Sequence, residues 1–219
     1  MPRLRKPESA IDRLIFLKKA TETAAKEEAN GESLITKNTY DKAIELIGRL
    51  NANMGNLSKF KSLSQKEIRE KNQSMDVLKT YVRDSWDGCR RRVYREQLPL
   101  DVFAYYQLPK SGNNPIPTTD GQWLEIAELM IKGERDAIES GYAPISNPSM
   151  AEVTDVLTLA RSEAEDVSEA DKMLDEAQEA VSDLMPEAAA LVDRIIAELE
   201  FHLDDRDDAS KRRMLRNYG

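Results

Sequence analysis

The stretch that decides the fold is residues 149–203, SMAEVTDVLTLARSEAEDVSEADKMLDEAQEAVSDLMPEAAALVDRIIAELEFHL. Its apolar residues recur at helical steps, mostly of three, four and seven residues, and these are Val153, Leu157, Ala160, Val167, Val181, Ala188, Leu191, Ile195 and Leu199. Ser149 and Glu152 form a capping-box pattern at its start. Pro186 either restarts or kinks the helix, because proline lacks the N–H that a helix interior needs. The stretch predicts one long helix or two consecutive ones.

The first hundred residues predict three more helices. A helix from Ser9 to about Ala29 begins with a capping box, and a second helix begins near Thr36. Residues 55–64 predict an interruption. A third helix is expected to start after it, at the capping pattern Ser64–Glu67, and to continue to about Gln97.

Proline and glycine divide the middle of the chain. Pro99 can open a short helix through Tyr106, and the run LPKSGNNPIP, residues 108–117, predicts a loop. Thr119 to Gln122 caps a further helix that stops near Ser140. No sustained period-two run of β-branched and aromatic residues predicts a strand anywhere in the sequence.

Together these patterns predict an all-α helical bundle of about six helices. Two long antiparallel helical hairpins would form a four-helix core within a single domain, residues 1–219. Residues 36–107 and 148–219 match at an offset of 113, with 108–147 as linker and extra helix. An internal duplication explains this match, and so does the common spacing of any two amphipathic helices.

The two halves of the chain carry opposite charge. Residues 1–107 contain 21 Lys and Arg against 15 Asp and Glu, whereas residues 108–219 contain 11 against 25. The net charge of the whole chain is −8. Opposite halves attract each other, so this pattern favours pairing of the halves within one chain or between chains.

The counts of two residue types exclude several kinds of site. The single cysteine, Cys89, excludes an internal disulfide and any CxxC site, and we expect it to be a structural thiol. The single histidine, His202, excludes a His-rich zinc site and the paired ExxH motifs of di-iron bundles within one chain. The glycines do not form a phosphate-binding loop. We therefore expect no enzyme activity and no cofactor.

Glu198 and His202 are the metal-ligand candidates. They lie four residues apart on a predicted helix and so share a face. Such a pair can bind a divalent metal, although the acidic run that follows is typical of a solvated surface.

Basic and aromatic residues between positions 81 and 123 are the interaction candidates. Arginines in a helix with aromatic neighbours can bind nucleic-acid phosphates, but the acidic chain repels a polyanion. Alternatively, the arginines pair with acidic helices, and the aromatic side chains fill one end of the bundle. The candidates are Arg90, Arg91, Arg92, Tyr105, Tyr106 and Trp123.

The sequence thus predicts a non-enzymatic structural or protein-interaction module that binds a protein partner or forms a homo-oligomer. A carboxylate-rich metal-binding bundle is the first alternative, and a nucleic-acid-binding helical protein is the second and the less favoured. No apolar run approaches the length of a membrane span, so we expect no membrane contact and a cytoplasmic location.

Overall fold

The computed structural model describes residues 6–29, 31 and 33–218 of the chain. Within these residues there are six α-helices, one 3₁₀ helix and no β-strand, which confirms the all-α helical bundle. The α-helices are α1 Ala10–Glu28, α2 Lys37–Arg95, α3 Asp120–Glu139, α4 Met150–Ser182, α5 Met185–Leu203 and α6 Asp208–Tyr218, and the 3₁₀ helix is Leu100–Tyr106.

Local capping signals set the starts of three helices as expected. The Ser9 hydroxyl accepts a hydrogen bond from the Asp12 N–H at the start of α1. Thr119 and Gln122 form a reciprocal capping box at the start of α3. At α4 the Ser149 hydroxyl accepts from the Glu152 N–H at 3.3 Å, and the Glu152 carboxylate accepts from the Ser149 N–H at 2.8 Å. These caps satisfy backbone donors that have no partner inside the helix.

The interruption expected at residues 55–64 is wrong, because α2 is one continuous helix of 59 residues. The hydroxyl of Ser64 does not cap a helix but donates to Asp171 Oδ1 at 2.7 Å. Gly55 destabilises an exposed helix by only about 1 kcal/mol relative to alanine, and no proline lies within Lys37–Arg95, so the helix continues. The first of the two expected hairpins, which needed a turn here, is therefore absent.

Pro186 starts a new helix instead of kinking a continuous one. Helix α4 ends at Ser182, and α5 begins at Met185 with Pro186 in its first turn, where a missing N–H costs nothing. Helix α6 was not expected as a separate element. It begins at Asp208, after Asp207 accepts hydrogen bonds from the N–H groups of residues 209 and 210.

The chain divides into two compact units. The first comprises Met1–Lys61 and Lys172–Gly219, and the second comprises Ser62–Asp171. The core of the first unit is mainly aliphatic and includes Leu17, Ala20, Leu46, Leu50, Ile195, Leu199 and Tyr218. The single domain and the duplication stay predictions.

The core of the second unit contains both tryptophans of the chain. Trp86 donates its indole N–H to the carbonyl oxygen of Tyr106 at 2.9 Å, and its ring lies 5.9 Å from that of Trp123. Around them pack Met75, Leu78, Val82, Phe103, Met130, Val153 and Ala160. Tryptophan fluorescence will therefore report on this unit alone.

Among the described residues, none of the helices combines the length and the hydropathy that crossing a membrane would require.

Gly133 brings α3 against the 3₁₀ helix in the second unit. A Cβ atom at this position would overlap the backbone carbonyl of Tyr105, so only glycine allows the observed approach. In the same helix, a Cβ at Gly121 would meet nothing closer than the Thr119 hydroxyl at 4.0 Å.

Substituting Gly133 with alanine should therefore destabilise the second unit by at least about 2 kcal/mol, because backbone must move away from backbone. Gly121→Ala is the matched control and should change stability by less than about 1 kcal/mol. Urea unfolding followed by tryptophan fluorescence measures both variants. Equal stabilities of the two would contradict the close approach.

Candidate functional site

Glu198 is placed at the start of α2. Its carboxylate accepts hydrogen bonds from the Thr36 N–H at 2.8 Å and from the Thr39 hydroxyl at 2.6 Å. The Thr36 hydroxyl and the Arg194 Nε each donate to the same carboxylate at 3.2 Å. Glu198 thus serves as a helix cap supplied from α5, which is a structural role.

The surroundings of Glu198 keep it ionised. Burial alone would raise the pKa of this carboxyl, but the hydrogen bonds from Thr39, Thr36 and Arg194 outweigh burial and lower the pKa. His202 is exposed, and its ring lies 5.5 Å from that of Phe201. Glu198 and His202 both lie on α5, four residues apart, and no described hydrogen bond or ion pair joins them, so the metal pair stays a prediction.

Two of the three candidate arginines hold loops of the second unit. Arg90 donates to the Gly112 carbonyl at 2.9 Å and to Asn114 Oδ1 at 2.8 Å, and it also pairs with Asp87. Arg92 donates to the carbonyl of Ala143 and pairs with Glu96. Arg91 is exposed and has no contact among those described. The cluster is therefore not a continuous free basic surface.

The aromatic candidates are mostly interior. Tyr106 and Trp123 are buried, and the Arg83 guanidinium lies 4.9 Å from the centre of the Trp123 ring. Tyr105 is half-buried and its hydroxyl lies 2.9 Å from the Ser140 Oγ. Tyr106 and Trp123 thus belong to the core of the second unit, and Tyr105 packs against it.

Sequence reasoning missed Glu134, a buried carboxylate on α3 that is only 4% exposed. It accepts a hydrogen bond from the Ile145 N–H at 2.7 Å and another from the Tyr106 hydroxyl. It thereby joins α3, the 3₁₀ helix and the segment before α4. The signal was its position on the buried stripe Trp123, Ala127, Met130, Glu134 and Ala137.

The surroundings of Glu134 also explain the state of Cys89. Burial raises the pKa of this thiol to about 12. The nearby charges of Arg92 and Arg90 lower this pKa, whereas the charge of Glu134 raises it further. The thiol is therefore un-ionised at neutral pH, as expected of a structural cysteine.

A second group of carboxylates in the same unit was also missed. Glu67 on α2 and Glu163 and Asp166 on α4 each place an oxygen within 4.8 Å of the others. Glu67 is buried, and its partner is the neighbouring Lys66 at 3.0 Å. Glu163 and Asp166 are three residues apart and so share a helix face, but Glu67 lies almost one hundred residues earlier, which no local pattern reveals.

Replacing Glu198 with glutamine should remove stability in a pH-dependent way. A lowered folded-state pKa contributes stability above the unfolded value and loses it as pH falls through the folded value. The stability difference between wild type and Glu198→Gln should thus be full at pH 7 and shrink below pH 4.5, the ordinary value of the carboxyl. Chemical unfolding followed by circular dichroism at several pH values measures this difference. The exposed Glu200→Gln is the control, and a gap that persists at pH 2 would contradict the cap.

Replacing Glu134 with glutamine should destabilise the second unit by about 1–3 kcal/mol, because two buried donors lose a charged acceptor. Glu125→Gln makes the same change at an exposed position of the same helix and should have less than about 0.5 kcal/mol of effect. Urea unfolding with tryptophan fluorescence compares them, and a neutral Glu134→Gln would overturn the linking role.

No protein-family model matches the chain, and no curated protein or solved structure shows a significant match either. The roles of the candidate residues therefore rest on the geometry just described.

Proposed function

We propose that the protein is a non-enzymatic helical interaction module that binds a basic protein segment. The observation that carries the proposal is the charge of α4, which has ten carboxylates and two basic residues over 33 positions. A helix of this composition attracts a cationic partner and repels polyanions.

The docking surface lies on the part of α4 within the second unit. We define the acidic face by Asp155, Leu159, Glu165 and Glu169, all of them exposed. Its three carboxylates take part in no described hydrogen bond or ion pair. Glu165 and Glu169 stand four residues apart and repel each other, which costs the helix roughly 0.2–0.5 kcal/mol. These charges therefore do not stabilise the isolated helix, and a cationic partner would reduce their repulsion.

An apolar residue accompanies the charges and narrows the chemistry of the partner. Leu159 is 52% exposed and lies one helical turn from Asp155. Burial of such a side chain adds binding energy, whereas the surrounding charges favour orientation and rapid association. The partner that fits is an amphipathic segment with lysines or arginines around one apolar anchor.

The other functions expected from the sequence have less support. Glu198 already accepts four hydrogen bonds, which weakens the support for metal binding by Glu198 and His202. Arg90 and Arg92 are engaged by loop carbonyls, so two of the three arginines in this cluster are not free to bind nucleic-acid phosphates. The cytoplasmic location stays a prediction.

The binding test uses a fluorescein-labelled helical peptide of lysine and alanine with one central leucine. Fluorescence anisotropy at low ionic strength should show affinity at least about tenfold weaker for the Glu165→Gln/Glu169→Gln protein than for wild type. Leu159→Ala should weaken binding further by removing the apolar anchor.

The matched control removes two charges elsewhere. Glu200→Gln/Asp205→Asn changes exposed carboxylates outside the acidic face and should leave the peptide affinity within about twofold of wild type. An equal loss of affinity in both double variants would mean that the peptide responds to net charge only, and would overturn the acidic face as the site.

A further inference from the structure

We propose that Glu67, Glu163 and Asp166 bind a divalent metal ion, Ca²⁺ in preference to Mg²⁺, in the second unit. This site is independent of the acidic face and of Glu198 and His202. It lies where α2 faces α4, and each of the three residues offers one carboxylate oxygen within 4.8 Å of the other two.

The cluster is partly buried, because Glu67 is buried and Glu163 half-buried, whereas Asp166 is exposed. Glu67 is only 8% exposed, although it carries a carboxylate. The Oε2 atom of Glu163 is buried and has no hydrogen-bond partner among the described residues. A buried carboxylate oxygen without a donor is destabilising by about 1–3 kcal/mol or more, and a bound cation removes that cost.

The charge of the cluster matches a divalent ion. Three carboxylates within a few ångströms repel one another, and the described cation in contact with them is Lys66, at 3.0 Å from Glu67. Lys66 is shared with Glu70 at 2.8 Å and its side chain is largely exposed, so it neutralises little of this charge. Two negative charges or more remain for a bound ion to balance.

The number of carboxylate ligands indicates which ion the cluster favours. Ca²⁺ binds oxygen ligands at about 2.3–2.6 Å, so ligands on opposite sides of the ion lie roughly 5 Å apart. A separation of up to 4.8 Å allows one such ion to contact all three carboxylates. Mg²⁺ keeps several of its waters and is usually bound by only one or two carboxylates, so three carboxylates favour Ca²⁺.

The helices hold the cluster in place. Glu163 and Asp166 are three residues apart on α4 and share one face. Nearby, the Ser64 hydroxyl of α2 donates to Asp171 Oδ1 of α4 at 2.7 Å, which fixes the two helices against each other. A site with ligands from two rigid helices is preorganised, and metal binding should stabilise the second unit.

The test begins with protein treated with EDTA and then dialysed, to which CaCl₂, MgCl₂ or MnCl₂ is added. We expect Tm to rise by about 2–4 °C in 10 mM CaCl₂, with a smaller rise in MgCl₂. Isothermal titration calorimetry should give one bound Ca²⁺ per chain. The absence of both a Tm shift and binding heat with all three ions would overturn the proposal.

Paired variants separate the site from general charge screening. Glu163→Gln should lower the Ca²⁺ affinity by at least about tenfold, because it removes one carboxylate ligand. Glu179→Gln makes the same charge change at an exposed position of the same helix, outside the acidic face, and should bind Ca²⁺ like wild type.

The metal-free proteins provide a second readout. Glu163→Gln should be at least as stable as wild type without metal, since it removes a buried charge. An equal Ca²⁺ response in both variants would contradict the site. A wild-type Tm that changes with pH near neutrality but does not change with Ca²⁺ would contradict the metal site. It would indicate instead that two of the carboxylates share a proton.

Discussion

The excess of carboxylates in the second half of the chain is the constraint on which the rest of the structure depends. Residues 108–219 hold 25 acidic side chains and 11 basic ones, and the whole chain holds 40 against 32, so basic residues are too few to pair with every carboxylate. Each must remain in water, accept hydrogen bonds or bind a cation, because burying an uncompensated charge is too costly. Many carboxylates in the structure are exposed to water or accept hydrogen bonds. Our proposals concern the carboxylates for which neither is sufficient.

Hydrogen bonding accounts for the two carboxylates that organise the core. Glu134 accepts from the Ile145 N–H and the Tyr106 hydroxyl, and so ties a loop and the 3₁₀ helix to α3. Glu198 caps α2 from α5. These interactions turn acidic residues into structural links, whereas the acidic face and the cluster around Glu163 remain uncompensated and carry the functional proposals.

The sequence predicted the features that depend on neighbouring residues. Ser9, Thr119 and Ser149 cap their helices because their partners lie three residues away, and Pro186 starts α5 for an equally local reason. Ser64 shows the limit of this reasoning. Its capping pattern is genuine, but its hydroxyl bonds to Asp171, more than one hundred residues later, and the helix continues. The carboxylate cluster with Glu67 was missed for the same reason, since the side chains meet only in the fold.

The acidic face and the cluster around Glu163 are compensated by a basic segment and a metal ion, and not by the basic half of a second copy of the chain. The most direct measurement is the solution mass by light scattering after size exclusion, at low and at high salt. We expect a monomer near the chain mass of 24.8 kDa at both salt concentrations. A dimer or larger species at low salt that dissociates at high salt would contradict it, because opposite halves of separate chains would then neutralise each other.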